Sequence, residues 1–151
     1  MGTKYQGTEA EIRALNTYIK LQRAAETSLS RTTRLLNDLG LTLSQFSVLE
    51  ALYHLGPMSQ RDLAEKLLKS TGNMTSVLKG MERRGLIHRE RSEADNRYMS
   101  VQLSEAGREI IAGYFPQHVG LIVADMAVLT AEEQDQLAAL CRKLGLGVTV
   151  P

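Results

Sequence analysis

The sequence predicts a mainly α-helical fold that carries one small β-hairpin. Three observations predict it. Met74, Val77, Leu78 and Met81 recur at i, i+3, i+4 and i+7 within residues 70–85, which sets them on one face of a helix. Directly after Gly85 the period changes from 3.6 to 2, with Leu86 to Arg91 and Tyr98 to Leu103 as two candidate strands around the polar stretch 92–97. Long stretches at both ends keep an apolar stripe at helical spacing and open on capping boxes, Thr8 to Glu11 and Thr130 to Glu133.

Taken in order, residues 1–7 have no period and are expected to fray. The capping box at Thr8 opens a helix that the stripe Ile12, Leu15, Ile19, Leu29, Leu36 and Leu39 carries to Leu39, with Gly40 as its stop. A helix of that length on so small a domain cannot bury its whole face within its own subunit. Thr42 and Gln45 form the next capping box, with Leu41 and Phe46 as its hydrophobic staple, and the helix reaches about Leu55 before Gly56-Pro57 breaks it. Ser59 caps a short helix reaching Lys69, with Leu63, Ala64, Leu67 and Leu68 as its seam. A short turn then leads into the helix of residues 70–84. Two short helices joined by a tight turn and followed at once by a hairpin form a winged helix-turn-helix. Ser104 starts another long helix, to about Leu129, in which Pro116 predicts a kink or break. The final helix carries Leu137, Leu140, Cys141 and Leu144 and closes at Gly145.

The chain of 151 residues is expected to form one domain. An apolar fraction of 43% and a charged fraction of 23% are those of a soluble globular protein. No signal-peptide pattern or membrane-spanning apolar run is found, and the single cysteine excludes an internal disulfide framework, so a cytoplasmic location is expected. Cys141, on an apolar stripe, reads as a buried, inert thiol. His54, His88 and His118 are too scattered for a metal site, and no cofactor is expected. No glycine-rich phosphate loop, nucleophile elbow or paired catalytic carboxylates suggest an enzyme.

Net charge is only +1, but residues 61–104 carry +3 and residues 105–151 carry −3. The positive segment holds the helix whose second face presents Gly72, Ser76, Lys79 and Arg83 and no acid. Small residues let a backbone approach, hydroxyls and amides reach bases or phosphates, and cations neutralise phosphate, so this face suits the major groove of double-stranded DNA. Ser70, Thr71, Gly72, Asn73, Thr75, Ser76, Lys79, Arg83 and Arg89 are the candidate contacts. At the hairpin tip Arg97 is placed to enter a minor groove, with Asp95 holding its guanidinium. The competing reading is a winged-helix module used only for protein interaction.

These residues resemble the MarR family of bacterial transcription regulators across roughly residues 9–145. The most specific match is Asp95-Asn96-Arg97, five residues, then Leu103-Ser104 and Glu105-Ala106-Gly107, with Ser104 where threonine is usual. The stretches 41–49, 59–64 and 78–87 match the family's second, third and fourth helices. The resemblance implies a homodimer on a pseudo-palindromic operator, with residues 8–39 and 104–145 as dimerisation helices and residues 42–103 as the DNA-binding lobe. It further implies a repressor released by a small aromatic or phenolic effector, for which Tyr53, His54 and His118 are the candidate contacts. The peroxide-sensing members carry a reactive cysteine in the first helix, and this chain has none there.

Overall fold

The computed structural model describes residues 3–91 and 99–147. The hairpin-tip residues Asp95 and Arg97, and the Tyr98 start of the second strand, lie outside the described residues. The described elements are α1 (Glu9–Thr32), a 3-10 turn (Leu36–Leu39), α2 (Leu43–Leu55), β1 (Met58–Ser59), α3 (Gln60–Lys66), α4 (Thr71–Arg83), β2 (Ile87–Arg91), β3 (Met99–Leu103), α5 (Glu105–Met126) and α6 (Ala131–Leu146). They fall into two compact units: one holds the chain up to Thr32 and from His118 onward, the other Thr33–Gln117.

The Thr33–Gln117 unit is the winged helix-turn-helix. Its core is built from the helical stripes read in the sequence: Phe46, Val48, Leu49 and Leu52 from α2, Leu63 and Ala64 from α3, and Met74, Leu78 and Met81 from α4, all buried. Val101 from β3 and Ile111 and Tyr114 from α5 close it. Phe46 and Tyr114 meet edge to face at 5.5 Å between ring centroids. Burial pushes the Tyr114 phenol pKa up. The hairpin is antiparallel, with Ile87 opposite Leu103 and Arg91 opposite Met99. β1 adds a third strand on the outer side of β3, Met58 opposite Val101. A strand of two residues has no readable period, so β1 carries no sequence signal.

Several boundaries differ from the sequence reading. The first helix stops at Thr32, not Leu39. Thr32 and Thr33 are consecutive β-branched residues, and the Thr32 hydroxyl donates back to the Ser28 carbonyl at 2.9 Å. The chain then tightens to a 3-10 turn that buries Leu36 and ends on Gly40 at φ +62°. α3 stops at Lys66, short of Lys69, in a Schellman motif: Lys69 N–H donates to the Ala64 carbonyl and Leu68 N–H to that of Glu65. Leu68 itself sits at φ +51° and is 93% exposed. Of the kink or break expected at Pro116, the break does not occur. α5 continues through it, with Pro116 and the Ala112 carbonyl it leaves without a donor both at exposed positions. α5 ends at Met126 rather than Leu129, and α6 passes Gly145 to stop at Gly147, φ +67°.

In the other unit the capping boxes form as read. Thr8 N–H donates to Glu11 Oε2 at 2.8 Å, and Glu11 N–H to Thr8 Oγ1 at 3.3 Å. Arg31 of α1 pairs with Asp125 of α5 at 2.9 Å. Thr32 is the one buried residue of α1, and α6 has none. Cys141 is exposed rather than buried, beside a groove of about 540 Å³ lined by Leu21, Met126, Leu129 and Leu137. The apolar stripe of α6 is present but uncovered within this chain. No single helix among the described residues is long and apolar enough to cross a membrane.

Candidate nucleic-acid interface

α4 is positioned by its own chemistry. Ser70 caps it, its Oγ accepting from Asn73 N–H at 3.2 Å. Met74, Leu78 and Met81 are at most 1% exposed, so the helix cannot rotate without uncovering them. At its far end Gly85, at φ +67°, turns the chain into the hairpin. Arg84 donates to the Gly40 carbonyl at 2.6 Å and to Gln45 Oε1 at 3.3 Å, which commits it to the fold.

What remains outward is the face read from the sequence: Ser70, Thr71, Gly72, Asn73, Ser76, Lys79 and Arg83 are all exposed. Arg83 Nε lies 3.4 Å from the Lys79 carbonyl, holding the guanidinium along the helix surface. A Cβ on Gly72 would meet nothing within 4 Å, so no contact inside the protein requires glycine there.

Two candidate residues are already engaged. Thr75 donates its hydroxyl to the Thr71 carbonyl at 2.9 Å and accepts from Gln60 Nε2 at 2.6 Å. Arg89 is half-buried: its Nε pairs with Glu82 Oε1 at 3.0 Å, and its Nη1 donates to Gln60 Oε1 at 3.0 Å. The one carboxylate on the last turns of α4 is thereby neutralised. Sequence reasoning missed Gln60 and Glu82, because a polar residue at the start of a short helix and an acid near the end of another carry no signal until the elements are packed.

At the junction of α4, the hairpin and α5, Ser104 explains part of the wing signature. Its Oγ donates to the Gly85 carbonyl at 2.6 Å and accepts from Gly107 N–H at 3.0 Å, while its N–H donates to the Leu86 carbonyl at 3.1 Å. Gly107 packs so closely that a Cβ would lie 2.1 Å from that Leu86 carbonyl oxygen.

Among the effector candidates, Tyr53 and His54 share an aromatic cluster with Phe115, at 5.0 Å for Tyr53–His54 and 4.5 Å for His54–Phe115. The Arg108 guanidinium lies over the Tyr53 ring at 5.9 Å. His118 belongs to the other unit, buried, its Nδ1 3.1 Å from the Thr32 carbonyl. Among the described residues there is no group of three or more His, Cys, Asp or Glu side chains able to hold a metal.

The model of the MarR family matches residues 41–98, within the Thr33–Gln117 unit. The HTH-type transcriptional regulator YkoM of Bacillus subtilis is 33% identical over 134 residues, covering 89% of this chain and 87% of YkoM. The chain belongs to the MarR family. A second B. subtilis regulator of the helix-turn-helix type, MhqR, is 29% identical over 89% of this chain and 92% of its own. The apo structure of Escherichia coli MarR superposes with a TM-score of 0.66 at 25% identity, covering 82% of this chain and 92% of that one. Membership makes the chain a DNA-binding transcriptional regulator of the MarR type, which acts as a homodimer and is not an enzyme. The residues matched by the family model contain α4, the hairpin strand β2 and the acid-free face between Ser70 and Arg83.

Proposed function

We propose that this MarR-type regulator is a ligand-responsive repressor that binds a pseudo-palindromic operator as a homodimer. The observation that carries the DNA contact is the division of α4 into an apolar face, with Met74, Leu78 and Met81 buried and Val77 partly buried, and an exposed face of small, hydroxyl, amide and cationic side chains. Lys79 and Arg83 neutralise phosphates and fix register, while Asn73 and Ser76 reach base edges. Arg97, at the wing tip, enters the minor groove with Asp95 steadying it. Thr75 and Arg89 hold these elements in place through the bonds described above.

The dimerisation reading places α1, the end of α5 and α6 against a second copy. Its support is the uncovered apolar surface there: Val123 is 63% exposed, Leu140 65% and Leu144 63%. A two-fold arrangement presents two α4 helices to successive major grooves, about 34 Å apart. The effector is a small aromatic or phenolic compound that stacks with Tyr53 and His54, whose cluster with Phe115 and Arg108 supplies flat apolar faces and a cation. It acts only if it prefers one spacing of the two lobes over another.

The test begins with duplexes selected from a random-sequence pool by the purified protein. Fluorescence anisotropy at several salt concentrations then compares a selected duplex with a scrambled one. Tight, salt-sensitive and selective binding is expected, with a Tyr53→Ala variant that still binds DNA but no longer releases it with phenolic compounds. Selection that enriches no sequence would refute the operator reading.

A further inference from the structure

Gln60, the first residue of α3, makes two contacts that join three elements. Its Nε2 donates to Thr75 Oγ1 on α4 at 2.6 Å, and its Oε1 accepts from Arg89 Nη1 on β2 at 3.0 Å. The orientation of the carboxamide is fixed by its partners. Arg89 can only donate, so it must face the oxygen. The Thr75 proton is spent on the Thr71 carbonyl, so Thr75 offers a lone pair and must face the nitrogen. Arg89 is held from its other edge by Glu82 of α4, 3.0 Å from its Nε. The result is a closed path: α4 through Thr75 to Gln60, on to Arg89 in β2, and back to α4 through Glu82.

The chemistry at this position is narrow. A planar group that donates on one side and accepts on the other satisfies both neighbours. A glutamate keeps the bond from Arg89 but offers Thr75 no donor, and an apolar side chain of similar length serves neither. Gln60 is half-buried at the start of α3, and the path ties α4 to β2, the strand that leads to the wing tip.

We propose that Gln60 is a positioning residue for operator recognition: it fixes the angle between the recognition helix and the wing strand, and sequence selectivity depends on that angle. This inference rests on the DNA-binding reading above. Phosphate attraction tolerates small shifts of a helix, because charge acts at a distance, whereas bonds to base edges do not. Loss of Gln60 therefore removes selectivity and leaves non-selective binding.

The test compares wild type, Gln60→Met and Gln60→Glu on a selected duplex and a scrambled duplex of the same length, with thermal unfolding of each protein. Gln60→Met is expected to lower the ratio of the two affinities about tenfold, while affinity for the scrambled duplex stays within about twofold. Gln60→Glu is expected to fall between Gln60→Met and wild type. Arg89→Lys, which cannot bond Gln60 and Glu82 from one rigid fork, is expected to add little to Gln60→Met, because both interrupt the same path. An unchanged ratio in Gln60→Met overturns the proposal, as does equal loss on both duplexes in step with reduced thermal stability. Wild type that fails to discriminate the duplexes would overturn the DNA-binding reading itself, a separate result.

Discussion

Gly107→Ala should destabilise the protein although it places a better helix former in a helix. The ideal Cβ at this position would lie 2.1 Å from the Leu86 carbonyl oxygen and 3.0 Å from its carbon. Both obstacles are backbone, so no side chain can swing aside. Restoring an ordinary contact requires the start of α5 to move by about 1 Å. That shift strains the bonds Ser104 makes to the Leu86 and Gly85 carbonyls, at 3.1 and 2.6 Å. Overpacking costs about 1–3 kcal/mol, and weakening two hydrogen bonds costs about 1 kcal/mol each. The helix preference of alanine over glycine returns about 1 kcal/mol. The net is a loss of about 2–4 kcal/mol, or roughly 5–15 °C in Tm for a chain of this size. The assay is thermal unfolding at matched protein concentration, since dimerisation makes Tm concentration-dependent. Gly113→Ala, in the same helix but with nothing within 4 Å of its Cβ, is the control and should be neutral or stabilising. Equal behaviour of the two variants would show that the Leu86 carbonyl does not exclude a Cβ at position 107.

Three further outcomes are expected. Gly72→Ala should stabilise the protein by about 0.5–1 kcal/mol, because its Cβ enters open space, yet weaken operator binding where DNA needs that space. Unfolding and anisotropy on the same variant separate the two effects. Leu68→Gly should also stabilise, by about 0.5–1 kcal/mol, since a leucine at φ +51° that is 93% exposed has strain to lose and almost no burial; urea unfolding reads it. The Asp125 carboxyl is held below its ordinary pKa by the Ser28 hydroxyl first and Arg31 second. A carboxylate with a depressed folded-state pKa stabilises above its unfolded pKa, and the contribution disappears as pH falls through the folded value. Asp125→Asn should therefore be less stable than wild type at neutral pH, with the gap closing in acid below the ordinary carboxylate range; a gap independent of pH would count against the pairing.

Much of this architecture was legible because the signals are local. The burial of Met74, Leu78 and Met81, the caps at Thr42, Ser59 and Thr130, and the hairpin after Gly85 all follow from spacing and capping chemistry within a few residues. The outward face of α4 followed from the same period. What was not legible depends on elements distant in sequence. The stop at Thr32 comes before a 3-10 turn that buries Leu36, and the Leu68 turn follows from the Schellman bonds that close α3. The engagement of Thr75 and Arg89 needed Gln60 to be brought beside both, across separations of 15 and 29 residues. The apolar stripe around Cys141 predicts burial, yet the thiol is exposed, because a stripe says only that something covers it, not that the same chain does.

In the proposed complex a dimer sets two α4 helices into successive major grooves and flanks them with Arg97. Hydroxyl-radical footprinting of wild type and Arg97→Ala on a selected duplex tests it most directly. Two symmetric half-sites about 10 base pairs apart are expected. Flanking minor-groove protection is expected as well, and it should disappear in Arg97→Ala, with affinity weakened by about 1–3 kcal/mol. A single unpaired footprint, or flanking protection that survives the substitution, would contradict it.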